Sequence, residues 1–85
     1  MKLELRYFAS LRERLGMEAE AVELPDSEMR VAELRQWLAA RGEPWESAMG
    51  GEQGVLAAVN EEMAGEGQPL SDGDRVAFFP PVTGG

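Results

Sequence analysis

Apolar residues recur along this chain at two different periods, and the change from one to the other restricts it to a fold that combines sheet and helix. Lys2 to Phe8 alternates, with Leu3, Leu5 and Tyr7 on one side and Lys2, Glu4 and Arg6 on the other, the pattern of a strand buried on one face. From Val31 to Ala40 the repeat lengthens. Val31, Leu34 and Leu38 fall at i, i+3 and i+7, Trp37 widens the stripe, and Gly42 ends it. This segment is the main helix, with one apolar face to lay against a sheet.

The intervening residues fill in the order of elements. Ser10 offers an N-cap oxygen, Glu13 follows three residues on as in a capping box, and Gly16 stops a short helix after Leu15. Glu20, Val22 and Leu24 alternate with Ala19, Ala21 and Glu23 until Pro25, which predicts a second strand antiparallel to the first. Pro44 is suited to open a short helix through Met49, although Gly50-Gly51 gives that region the look of a loop. Val55 to Val59 is an apolar run without polar alternation, expected as an interior strand buried on both faces and closed by Asn60-Glu61-Glu62. Gly65, Gly67 and Pro69 suggest an irregular connection. Ser71-Asp72-Gly73-Asp74 is then a turn into a strand from Arg75 to Phe79, which Pro80 and Pro81 stop. The order β, β, α, β, β predicts an α+β fold: one domain over residues 1–79, a mixed sheet with a helix across it, and a tail over residues 80–85.

Composition narrows the chemistry. The chain has 85 residues, enough for one core, and contains neither cysteine nor histidine, so thiolate nucleophiles, imidazole bases and most transition-metal ligands are excluded. Sulfur, if carried, is not held as a cysteine persulfide. A net charge of −8 disfavours nucleic acid and anionic membranes, and makes basic partner surfaces or simple solubility the two readings of the acidity. No apolar run has the length of a membrane span, and Met1-Lys2 opens a strand pattern rather than a secretory signal, so the cytoplasm is the expected location.

The remaining candidate for chemistry is the segment Pro80-Pro81-Val82-Thr83-Gly84-Gly85. Proline resists sheet pairing and glycine has no side chain, so these residues are expected to project from the domain with a reach on the order of 20 Å. A terminal carboxylate is a poor acyl donor until an activating partner gives it a leaving group, and the lack of a Cβ on Gly85 leaves its carbonyl open to a nucleotide and then to a sulfur nucleophile. The competing reading of Gly84-Gly85 is a frayed terminus, and Gly50-Gly51 shows that the dipeptide occurs elsewhere. The stiff diproline base and the absence of other reactive groups favour a working tail.

Three stretches carry a resemblance: Ala57-Ala58-Val59-Asn60, Pro69-Leu70-Ser71-Asp72-Gly73-Asp74, and Val76-Ala77-Phe78-Phe79-Pro80-Pro81-Val82-Thr83-Gly84-Gly85. Together with Leu34-Arg35-Gln36 they resemble the small-subunit family of molybdopterin synthase, strongly over the last third and by pattern elsewhere. The stretch Asp26 to Arg30 looks longer than the usual family connection. The resemblance implies a ubiquitin-like β-grasp fold whose final glycine, Gly85, is adenylated by an activating enzyme that consumes ATP and is then thiocarboxylated from a separate sulfur donor. It further implies that the tail enters a larger synthase subunit, where two sulfur transfers turn cyclic pyranopterin monophosphate into molybdopterin. Two carriers on a dimeric large subunit, no stably bound cofactor, and catalytic side chains on the partner are part of the same implication.

The resemblance also implies docking through one sheet face, for which Phe8, Met63 and Phe79 are the candidates. Apolar residues beside strands are usually core, yet alternation puts Phe78 and Phe79 on opposite faces, so one of the pair is left for a partner. Asp72 and Asp74 around Gly73 read as a tight turn rather than a metal site, and Trp37 and Trp45 as packing rather than a pterin platform. Two rivals share the same activated Gly-Gly end: a ubiquitin-like modifier of protein lysines and a thiazole-pathway sulfur carrier. A third, of another class, is an interaction module with an inert tail.

Overall fold

In the computed structural model, which describes residues 1–50 and 54–81, the first alternation becomes strand β1 (Lys2–Tyr7), with Leu3, Leu5 and Tyr7 buried. The chain passes through helix α1 (Ala9–Leu15) and returns antiparallel as β2 (Ala19–Glu23), pairing Lys2 with Glu23 and Arg6 with Ala19. A two-residue strand β3 (Met29–Arg30) leads into the main helix α2 (Val31–Ala39), and the short helix α3 (Trp45–Gly50) follows. The strands β4 (Leu56–Val59), β5 (Glu62–Ala64), β6 (Pro69–Leu70) and β7 (Arg75–Phe79) complete the described chain. Five of the strands form one sheet in the order β2-β1-β7-β4-β5, while β3 and β6 make a small antiparallel pair of their own.

The centre of the large sheet is its one parallel pair, β1 with β7. The inner face meets the apolar stripe of α2, where Val31, Leu34 and Leu38 are fully buried as the helical period requires. Tyr7 and Phe78, side by side on the parallel pair, stack with ring centroids 6.2 Å apart, and Trp45 of α3 meets Tyr7 edge-on at 5.5 Å. The start of α2 is held by the loop before β6: the Val31 and Ala32 amides donate to the carbonyls of Gln68 and Glu66, each at 3.0 Å. Two of the amides a helix leaves unpaired at its first turn are thereby satisfied.

Several local expectations are corrected. Ser10 is not an N-cap: the residue before α1 is Phe8, whose carbonyl accepts from the Leu11 amide at 3.2 Å, and Ser10 lies inside the helix. Ala9 makes the corner with a φ of 54°, so the helix begins before the serine. Gly16 does close α1, at φ 73°. Helix α2 is capped by Ala40, and Gly42 turns the chain only afterwards, at φ 91°. Gly50 belongs to α3 rather than to a loop, and Gly51 is outside the described residues. Strand β4 is interior, paired on both sides, but it is not buried on both faces: Ala57 and Val59 are buried while Leu56 is 38% exposed.

Asn60-Glu61 does not simply end β4. It turns it back as a hairpin, with Glu62 already in β5. Asn60 and Glu61 have φ of 50° and 71°, the left-handed pair that a two-residue type I′ turn demands. Asn60 suits this site, since its side chain accepts from the Arg75 amide at 3.0 Å and donates to Asp74 at 2.9 Å. Glu61 suits it less, because a Cβ in the left-handed region costs energy that glycine avoids. Glu61→Gly is accordingly expected to stabilise the domain by about 0.5–1 kcal/mol, read as a higher urea midpoint at unchanged slope.

Candidate functional site: the outer sheet face at the root of the tail

Every residue directly opposite another across a sheet points to the same side, so the register assigns the outer face without ambiguity. One row runs Arg6, Ala77, Ala58, Met63 across β1, β7, β4 and β5; the next contains Phe79 opposite Leu56. Phe8 follows the outward Arg6 by two residues and closes the same end of the sheet, its amide donating to the Phe78 carbonyl at 3.1 Å. The face therefore has an apolar half around Phe79, Leu56, Ala58 and Met63. Its charged half holds Lys2, Glu4, Arg6, Glu23 and Arg75, in which Arg75 Nε donates to Glu4 Oε2 at 3.3 Å.

The candidate residues fall as follows. Phe8 is 47% exposed and Met63 64%, while Phe79 is half-buried beside Leu56. Leu56 escaped the sequence reading because an unbroken apolar run hides its alternation; the alternate burial of Ala57 and Val59 was the signal that places it outward. Pro80 and Pro81 continue β7 beyond its last paired residue, both half-buried and outside any strand. Val82, Thr83, Gly84 and Gly85 lie outside the described residues. Of the five outward charges in the other half, three are cationic and two anionic, so the face does not share the acidity of a chain whose net charge is −8.

Behind this face a polar cluster fixes the same end of the molecule. Arg41 grips Glu20 with both guanidinium ends, Nη1 to Oε2 at 2.8 Å and Nη2 to Oε1 at 3.0 Å, and Tyr7 Oη donates to the same Oε2 at 2.8 Å. The guanidinium lies between two indoles, 4.9 Å from the Trp37 ring and 4.4 Å from the Trp45 ring, so both tryptophans act in packing. Burial alone would raise the Glu20 carboxyl, but the bonds from Arg41 and Tyr7 outweigh it and hold the group below the ordinary glutamate value. Burial first, and then the bond to Glu20, push the Tyr7 phenol well above its ordinary range.

A depressed carboxylate stabilises the fold above its unfolded pKa, and this contribution disappears as pH falls through the lower folded value. Glu20→Gln should cost about 1–3 kcal/mol at neutral pH, as expected for a charge-assisted bond. The difference between wild type and variant should shrink once pH drops below 4.5, the ordinary value for this group. Urea titrations of both proteins at a series of pH values measure it.

Among the described residues there is no group of carboxylates placed to hold a metal ion, and no helix is long and apolar enough to cross a membrane. A mixed five-stranded sheet with a parallel central pair, crossed on one face by a helix, defines a ubiquitin-like β-grasp protein. The model of the ThiS family matches residues 5–85, and the chain belongs to that family. The molybdopterin synthase sulfur carrier subunit of Escherichia coli is 44% identical over 84 residues, covering 98% of this chain and 99% of that protein. Among solved structures, SAMP1 from Haloferax volcanii superposes with a TM-score of 0.82 at 30% identity over the whole of both chains. The complex of subunits 1 and 2 of molybdopterin-converting factor from Helicobacter pylori contains a chain similar over its full length, with a TM-score of 0.67 at 27% identity.

Proposed function

We propose that this chain is the sulfur-carrier subunit of a molybdopterin synthase and that its reactive atom is the carbonyl carbon of Gly85. On an activating enzyme the Gly85 carboxylate attacks the α-phosphate of ATP, forming a glycyl adenylate and releasing pyrophosphate. A sulfur nucleophile at the sulfide level, from a separate donor, then displaces AMP and leaves a thiocarboxylate. In the large synthase subunit that sulfur passes to cyclic pyranopterin monophosphate, water restores the carboxylate, and a second delivery completes the dithiolene. The carrier holds no cofactor of its own, acts in the cytoplasm away from nucleic acid and membrane, and leaves the catalytic side chains to the large subunit, two carriers serving one large-subunit dimer.

The observation that carries this reading is the placement of the tail root. Strand β7 lies mid-sheet and hands on to Pro80 directly after outward-facing Phe79, at the end where exposed Phe8 leaves β1. A partner seated on Phe8, Phe79 and Met63 is thus beside the point from which Pro80, Pro81, Val82, Thr83 and Gly84 lead to Gly85. With no cysteine or histidine in the chain, the main-chain carboxyl is the group left to carry sulfur.

Intact-mass measurement after incubation with ATP, a sulfur donor and the cognate activating enzyme tests the proposal. A gain equal to the exchange of one oxygen for sulfur is expected, lost again on addition of the large subunit with its pterin. An unchanged mass would leave an interaction module with an inert tail. Attachment to lysines of other proteins would mark a ubiquitin-like modifier, and delivery to a thiazole precursor a thiazole-pathway carrier.

A further inference from the structure

Because the chain has no cysteine, its side-chain sulfur resides in five methionines, and they are not equally placed. Met29 and Met49 are buried and Met1 packs on the core, whereas Met17 is 36% exposed and Met63 64%. Met17 precedes β2, which is the opposite edge of the sheet from β5. Met63 stands on β5, the edge strand, opposite Ala58 and in the row that leads through Ala77. Met63 is thus both the most exposed of the large apolar residues among the described residues and part of the apolar half of the face.

We propose that Met63 is an oxidation site that switches the carrier's docking off, an inference that rests on the docking role of the outer face given above. A hydroperoxide transfers one oxygen atom to the Met63 sulfur; the sulfur loses two electrons and the peroxide is reduced to water or an alcohol. The sulfoxide is polar and a strong acceptor, and its neighbours on this face, Ala58, Leu56 and Phe79, carry no side-chain donor, so burying it against them without a new hydrogen bond is penalised. Sulfoxide reductases reverse the step, two thiols becoming a disulfide as water leaves. Free carrier is open to the reaction, while docked carrier shields Met63 beneath the partner.

The test is fractionation of partly oxidised carrier. Folded chain is treated briefly with hydrogen peroxide and passed over immobilised large subunit, and the sulfoxides in the bound and unbound fractions are located by peptide mass mapping. Met63 sulfoxide is expected to be depleted at least about tenfold from the bound fraction, and reductase treatment to return the unbound material to the column. Met63→Gln, shown to be folded by circular dichroism, should pass through like the sulfoxide. Equal retention of the Met63 sulfoxide, or oxidation of Met63 no faster than that of buried Met49, would overturn the switch while leaving the docking role intact. Failure of the untreated carrier to bind would instead remove the docking role, and the switch with it.

Discussion

Replacing Phe78 with alanine is expected to cost the domain about 3–5 kcal/mol, the range for truncating a buried phenylalanine. The side chain has no exposure, stacks on Tyr7, and sits on the strand that joins the two halves of the sheet, so little can collapse into the space it leaves. A domain of 85 residues has a total stability of about 5–12 kcal/mol, so the variant should be close to unfolding at room temperature, as urea denaturation would record. The same substitution one residue later should act differently. Phe79 faces outward, so Phe79→Ala should change folding by less than about 1 kcal/mol but weaken binding to the large subunit by about thirtyfold, as loss of an aromatic anchor does. A Phe79→Ala protein that unfolded, or bound undiminished, would remove Phe79 from the docking face.

Deleting Gly85 should abolish thiocarboxylate formation outright while leaving the thermal midpoint where it was. The acyl group would then be presented one residue short and on a different carbonyl, while the last strand of the sheet, β7, already ends at Phe79 and keeps all of its pairings. Mass measurement after the activation reaction reads the first effect and thermal unfolding the second. Amidating the Gly85 carboxyl serves as a finer control, because it removes the reactive oxygen without shortening the chain. Sulfur delivery that continued after amidation would place the reactive atom elsewhere.

What could be read from the residues depended on whether an element was long enough to show a period. Strand β1 and helix α2 span enough residues for alternation and stripe to be plain, and Arg75 to Phe79 was bounded by a turn signature and two prolines. Strands β3 and β6 have two residues each and β5 three, too few to display any repeat, and their pairing is set by neighbours distant in sequence such as Met29 and Leu70. Ser10 misled because a side-chain cap was expected where a backbone corner at Ala9 already starts the helix. At the candidate site, the opposition of Phe78 and Phe79 followed from pleat geometry alone. Leu56 required the register of β4, and the clasp among Arg41, Glu20 and Tyr7 joins residues that no local pattern connects.

The position of β7 also governs when the protein can be completed during synthesis. Until Arg75 to Phe79 have left the ribosome, β1 and β4 face each other across a gap the width of one strand, each with an unsatisfied edge. A nascent chain at that stage can form the β1–β2 hairpin and its helices, but not the sheet. Completion of the sheet therefore waits for β7, and any product interrupted before Arg75 exposes two sticky edges that favour its aggregation or removal. A carrier able to dock is, by the same logic, one that has already been synthesised as far as the root of its own tail.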